Sequence, residues 1–182
     1  YSLYRKYKGN NILNNYIKVL FWKESMRITN YLFKNNINPA QLANTIEKLK
    51  FILPIRNPLD CAASNLKSNK YKLITSKNIA TKKELSFEIL KIYKKIFDWS
   101  KYNNEAFLSF TEKEFDKSLL KHICSFLNIS FDDEWASDIM YYTKIDSKYV
   151  HEDNEVEWYK KCVEYTFADD IQLQKRFIEI LS

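Results

Sequence analysis

One glycine in 182 residues, Gly9, is the feature that most narrows what this chain can be. Average usage is about 7%. A G-x-G-x-x-G turn or a Walker A loop needs several glycines close together, so neither can be written in these residues. Any phosphate site here has to be assembled from side chains and helix N-termini. Metal and disulfide chemistry are equally short of material. There are two histidines and three widely separated cysteines, Cys61, Cys124 and Cys162. That set suits free thiols rather than a disulfide scaffold or a zinc site.

Composition sets the remaining bounds. Hydrophobic residues make up 46% and aromatic residues 16%, enough to build a core and to exclude a disordered chain. No apolar run approaches the roughly 18–20 residues that a membrane span needs. Lysine and arginine number 29 against 23 aspartates and glutamates, a formal charge of +6. This mild excess admits an anionic ligand without requiring nucleic acid. The chain opens on Tyr1 with no apolar signal segment, so the expectation is the downstream part of a longer polypeptide. The unpaired thiols and missing signal lean towards the cytoplasm, although residues upstream of Tyr1 could carry an anchor.

Alternating strand and helix patterns organise the chain as a single domain over 1–182. Tyr16–Trp22 (YIKVLFW) has strand length and composition. Residues 26–36 have helical character, and Asn38-Pro39 caps a further helix with Leu42, Ile46 and Leu49 on one stripe. Residues 50–55 (KFILPI) read as a strand buried on both faces, with Pro54 against it. Asn57-Pro58 opens the next helix, with Asp60 in its first turn. Residues 67–83 are lysine- and serine-rich and read as an exposed loop. A long helix over 83–102, a strand over 106–110 and a helix over 114–127 closed by Asn128 follow. The tail combines a 135–149 segment, a charged HEDNE turn and a final helical stretch. This order predicts an α/β fold with a parallel sheet flanked by helices.

The segment FILPIRNPLDCAASNLK, residues 51–67, carries the chemistry. A buried strand would deliver Arg56 to its carboxyl end, where ligands bind in open parallel sheets. Ser64 lies eight residues on, along the following helix. Arginine offers a planar fork to a phosphate and serine adds a donor. The competing reading is an ordinary strand–turn–helix with a surface arginine and a small helical serine.

Arg56-Asn57-Pro58 with Ser64 resembles the 3′-phosphate-binding motif of sulfotransferases that use 3′-phosphoadenosine 5′-phosphosulfate (PAPS). The block FLSFTEKEFDKSLLKHICSFLNI, residues 107–129, is similar to the strand, acidic turn and helix of the same family, with Asn128 in place of the usual glycine. The likeness covers roughly residues 50–130. It implies a sulfotransferase fold related to the P-loop NTPases, with PAPS or its product PAP as co-substrate and no metal. It also implies an acceptor hydroxyl, plausibly on a saccharide, as partner. KVLFWKES resembles the strand that carries substrate-side residues in several branches. There Lys23 would stabilise the transferring sulfonate and Glu24 would serve as general base, while Ser25 is a third candidate. A strand end meeting solvent is the plain alternative. The family's 5′-phosphosulfate loop has no counterpart in residues 1–15, and its glycine-containing C-terminal nucleotide motif is also missing. The domain is therefore expected to be N-terminally incomplete, with the loop upstream of Tyr1, or else a catalytically inactive relative that binds a nucleotide or partner.

The remaining candidates have plainer readings. His122 reads as a helix-surface or core residue and His151 as a solvated loop histidine near a possible acceptor. Phe110 and Thr111 could approach an adenine, with core packing as the alternative. Trp22, Trp99, Trp135 and Trp158 read as core anchors.

Overall fold

The computed structural model describes residues 26–143 and 149–181. The strand expected over Tyr16–Trp22, together with Lys23, Glu24 and Ser25, lies outside the described residues. The described chain falls into two compact units, residues 26–114 with 149–181, and residues 115–143.

The larger unit begins with α1 (Met26–Lys34) and α2 (Pro39–Thr45). Asn38 caps α2 as its sequence predicts, its side chain accepting from the Ala40 N–H at 2.9 Å. The helix stops at Thr45, however, before the Leu42–Ile46–Leu49 stripe can form. Ile46 is extended (φ −112°, ψ 90°) and 52% exposed. The buried face of α2 is made instead by Pro39, Ala40 and Ala43.

Strand β1 (Phe51–Ile55) leads through Asn57 into α3 (Pro58–Lys67). A single 3₁₀ turn, Tyr71–Leu73, precedes α4 (Lys82–Ser100), which opens with a capping box between Thr81 and Glu84. Strand β2 (Phe107–Thr111) then pairs with β1 in parallel, Phe51 opposite Phe107 and Ile55 opposite Thr111. Among the described residues, the parallel α/β arrangement expected from sequence is therefore present as a small two-stranded sheet among mainly helical elements. The Phe51 and Phe107 rings stack across it at 4.8 Å. Complete burial of β1 is corrected: Phe51, Ile52 and Leu53 are half-buried, Pro54 is exposed, and only Ile55 is enclosed. Proline has no N–H to give a ladder, and Pro54 is the exposed position of the strand, opposite Phe110.

Helix α4 is the centre of this unit. It packs against α3 and against α7 (Asp153–Thr166), which follows α5 (Lys117–Phe126) and α6 (Asp133–Tyr142) in the chain. Contact on two sides explains why it buries Leu85, Ile89 and Ile92 and also Ser86, Leu90, Tyr93 and Phe97, more than one helical stripe. The last helix, α8 (Ile171–Glu179), brings Phe177 into the same core. The lysine-rich stretch before α4 is not wholly a solvated loop. Ile74 and Ile79 are buried in the core and tie it down.

The smaller unit holds α5 (Lys117–Phe126) and α6 (Asp133–Tyr142), capped by Asp116 and Asp132. Leu120, Cys124 and Ala136 are its buried residues. Asn128 takes a positive φ of 54° after α5, the left-handed position its sequence suggests. His122 is on the helix surface. No helix among the described residues is long and apolar enough to cross a membrane.

The carboxyl end of β2 is fastened to α8 by a polar cluster. Arg176 donates from Nη1 to Ser109 Oγ (2.8 Å), and from Nη2 to Ser109 O (2.9 Å) and Glu114 Oε2 (2.8 Å). That oxygen also accepts the Thr111 N–H at 2.5 Å. Burial alone would raise the Glu114 pKa, but the bonds to Arg176 and Thr111 outweigh it and hold the carboxyl below its usual range. A depressed carboxylate pKa stabilises the fold above the unfolded value and stops doing so as pH falls through the folded one. Glu114→Gln is therefore expected to lower the thermal midpoint by a constant amount above about pH 5. The difference should shrink on further acidification, and thermal unfolding followed by circular dichroism at stepped pH reads it. A gap that widened in acid would contradict the bonding described here.

Candidate functional site

Arg56 is the first residue beyond β1 and is exposed, its side chain 48% accessible. The parallel register fixes what stands beside it. Ile55 faces Thr111, so the next residues in line are Arg56 and Glu112. Arg56 Nε lies 2.6 Å from Glu112 Oε1. From the other side, the Arg56 backbone N–H donates to the Tyr93 hydroxyl at 3.4 Å. Burial pushes the Tyr93 hydroxyl well above its ordinary pKa, so it stays a neutral phenol. Burial lowers the Arg56 pKa, but Glu112, Cys61 and Asp60 reverse this and leave it raised. The guanidinium is a permanent cation.

Helix α3 starts immediately after this cation. Its N-cap is Asn57, whose side chain accepts the Leu59 N–H at 2.9 Å, and Pro58 takes the first helical position. Asparagine satisfies an otherwise orphan donor there, and proline has no N–H to lose. Pro58, Leu59 and Ala62 anchor the helix. Ser64 sits one turn beyond Asp60 on the same face, half-buried, and its hydroxyl bonds none of the described residues. The backbone carbonyl of Ser64 accepts from Ser68 Oγ at 2.8 Å. The strand end and the capped helix are thus as read from sequence, and the structure adds Glu112 and Tyr93 around the arginine.

Sequence reasoning did not single out Glu112. A signal existed: laying FILPI beside FLSFT in parallel puts the residue after each strand, Arg56 and Glu112, next to each other. Phe110 is half-buried and Thr111 is buried on β2. Trp99, Trp135 and Trp158 are all half-buried.

His151 departs from the expected solvated loop. Its side chain is 10% exposed, and Nε2 lies 2.7 Å from Oδ1 of the buried Asp60. Its Nδ1 is 3.2 Å from Lys82 Nζ, and Lys82 in turn bridges Glu155 at 2.5 Å. An ammonium has donors only, so Nδ1 accepts and Nε2 carries the proton given to Asp60. Ninety-one residues of sequence separate the partners. The pair pins the segment before α7 to the first turn of α3, beneath Arg56 and Ser64 in the chain's order.

Cysteine chemistry is not offered here. The three thiols are free, and burial pushes Cys61 up to about 12 against the opposing Arg56 charge, so it stays protonated. Among the described residues no group of three or more histidine, cysteine, aspartate or glutamate side chains could hold a metal.

Two cavities lie elsewhere in the larger unit. One, of about 440 Å³, runs between α4 and the end of α7 beside Lys91, Lys94, Lys95 and Tyr165. Its cations are already engaged: Lys91 with Glu88, Lys94 with Asp98 and Asp169, and Lys95 over the Phe33 and Trp99 rings. The other, of about 250 Å³, is lined by apolar Leu53, Phe97, Phe107 and Leu108 together with polar Ser100, Asn104 and Ser109. Neither includes Arg56 or Ser64.

Around Arg56 the structure shows an exposed guanidinium paired with Glu112 and a capped helix that starts directly after it. Compared with protein-family models, curated proteins and solved structures, the chain matches none of them.

Proposed function

We propose that this chain is a PAPS-dependent sulfotransferase domain in which Arg56 and Ser64 hold the 3′-phosphate of the nucleotide. The observation that supports this reading is the sequence Arg56–Asn57–Pro58 placed at the carboxyl end of a parallel strand. The capped helix that follows carries Ser64. In the reaction, an acceptor hydroxyl oxygen, plausibly of a saccharide, forms a bond to the sulfonate sulfur. The bond from sulfur to the 5′-phosphate oxygen breaks, and the hydroxyl proton passes to a base. The resemblance assigns that base to Glu24 and the stabilisation of the sulfonate oxygens to Lys23. Charge developing on those oxygens is where fixed cations lower the barrier most.

Titration calorimetry with 3′-phosphoadenosine 5′-phosphate tests the assignment. Arg56→Ala removes a charge-assisted contact and is expected to weaken binding by about 1.5–3 kcal/mol, roughly ten- to 150-fold. Ser64→Ala removes a neutral donor and should cost about 0.5–1.5 kcal/mol. Unchanged affinity in Arg56→Ala would remove the nucleotide reading. Tight binding without transfer of labelled sulfonate to any hydroxyl acceptor would favour an inactive nucleotide-binding module.

A further inference from the structure

We propose that Glu112 is a positioning residue for the nucleotide's 3′-phosphate, acting through Arg56. The inference rests on the nucleotide reading of the Arg56 site. An exposed arginine has rotamer entropy to lose when it is fixed. A site that waits for its ligand gains affinity if that loss has already been met. Glu112 is placed to do this. It accepts at Nε, 2.6 Å away, and this position leaves the Nη1–Nη2 edge of the guanidinium for a second, bidentate anion.

Both ends of the pair are mounted on braced backbone. Arg56 is held through its N–H by the buried Tyr93 hydroxyl. Glu112 opens the 3₁₀ turn Glu112–Glu114, and that turn is locked by Glu114 bonding Thr111 N–H and Arg176. The strand register brings the two side chains together without either having to search. Glu112 is only 25% accessible, so its carboxylate faces the arginine from a partly dry position, where a charge-assisted bond is stronger than in water.

The test compares wild-type protein with Glu112→Ala, Glu112→Gln and Arg56→Ala. Two ligands are titrated into each by calorimetry: 3′-phosphoadenosine 5′-phosphate and adenosine 5′-monophosphate, which lacks the 3′-phosphate. Glu112→Ala is expected to weaken the bisphosphate about tenfold, the worth of one charge-assisted bond. It should leave the monophosphate unchanged. Glu112→Gln keeps an oxygen to accept from Nε and should restore most of the loss. Bisphosphate affinity that is equal or tighter in Glu112→Ala overturns the proposal, because the carboxylate would then compete with the phosphate. Equal weakening of both ligands also overturns it, as damage to the fold would do that. If Arg56→Ala itself leaves the bisphosphate unaffected, the nucleotide reading fails first, and that result is separate from any effect of Glu112.

Discussion

Phe177→Ala is expected to destabilise the larger unit by about 3–5 kcal/mol, the range for removing a large aromatic side chain from a core. Phe177 is fully buried near the end of the last helix. Its ring stacks on Phe167 at 4.7 Å, tilts against Tyr93 at 5.3 Å and meets the edge of Phe97 at 6.2 Å. The backbone carbonyl of Phe177 accepts from the buried Tyr159 hydroxyl at 3.2 Å. Removing the ring leaves these neighbours facing a void that the helices around it cannot fully close. Against a total stability of about 5–15 kcal/mol for a domain, such a loss takes a large fraction. The consequence reaches the candidate site, because Tyr93 is also the group that holds the Arg56 backbone. Urea unfolding followed by circular dichroism should show a lower midpoint with little change in slope. Phe177→Leu, which keeps part of the volume, should lose much less. Val150→Ala, at a 95% exposed position, should stay within about 0.5 kcal/mol. A loss below about 1 kcal/mol in Phe177→Ala would mean that α8 does not close this core.

The parts of this fold that local rules govern were legible in the sequence. Asn38-Pro39 and Asn57-Pro58 open helices, and Asn128 closes one in a left-handed conformation, because capping depends on residues within one turn. The apolar repeat of α4 was legible from its own helical spacing, and the parallel sheet from the alternation of strands and helices along the chain. What failed depended on partners far away in sequence. The Leu42–Ile46–Leu49 stripe has helical spacing, but the small residues Pro39, Ala40 and Ala43 decide which face of α2 is buried, and the chain leaves the helix before Ile46. Spacing alone cannot say which of two possible faces finds a partner. Ile74 and Ile79 looked like isolated apolar residues in a lysine-rich loop, yet the core takes them in. At the candidate site, the strand end before Arg56 and the capped helix that carries Ser64 were legible because strand, cap and helix follow one another within a few residues. Glu112 and His151 were not, since each meets its partner only through tertiary structure.

Asp60→Ala should be the most damaging polar substitution in the larger unit, at about 1–3 kcal/mol, the cost of leaving a buried donor without its acceptor. Asp60 is 1% exposed, and its Oδ1 takes the His151 Nε2 proton at 2.7 Å. Without the carboxylate, that N–H loses its acceptor inside the fold, while Lys82 and Glu155 stay behind it. Asp60→Asn keeps an amide oxygen at the same place and should cost less, because a neutral acceptor still satisfies the donor. His151→Gln separates the two halves of the network. A glutamine amide can still donate to Asp60, but Lys82 loses the acceptor that Nδ1 gave it. A double-mutant cycle between Asp60→Ala and His151→Ala, read by urea unfolding, is expected to show coupling of about 0.5–3 kcal/mol. Additive losses would mean that the 2.7 Å contact is incidental. The link matters beyond stability because Asp60 lies one helical turn before Ser64 and four residues after Arg56. Loosening the first turn of α3 moves the strand end and the serine relative to each other. If the chain binds the nucleotide as proposed, variants of Asp60 that remain folded should therefore bind 3′-phosphoadenosine 5′-phosphate more weakly than wild type, even though removing a carboxyl group would by itself favour an anion. Tighter binding would show that its charge, rather than its hold on His151, governs the site.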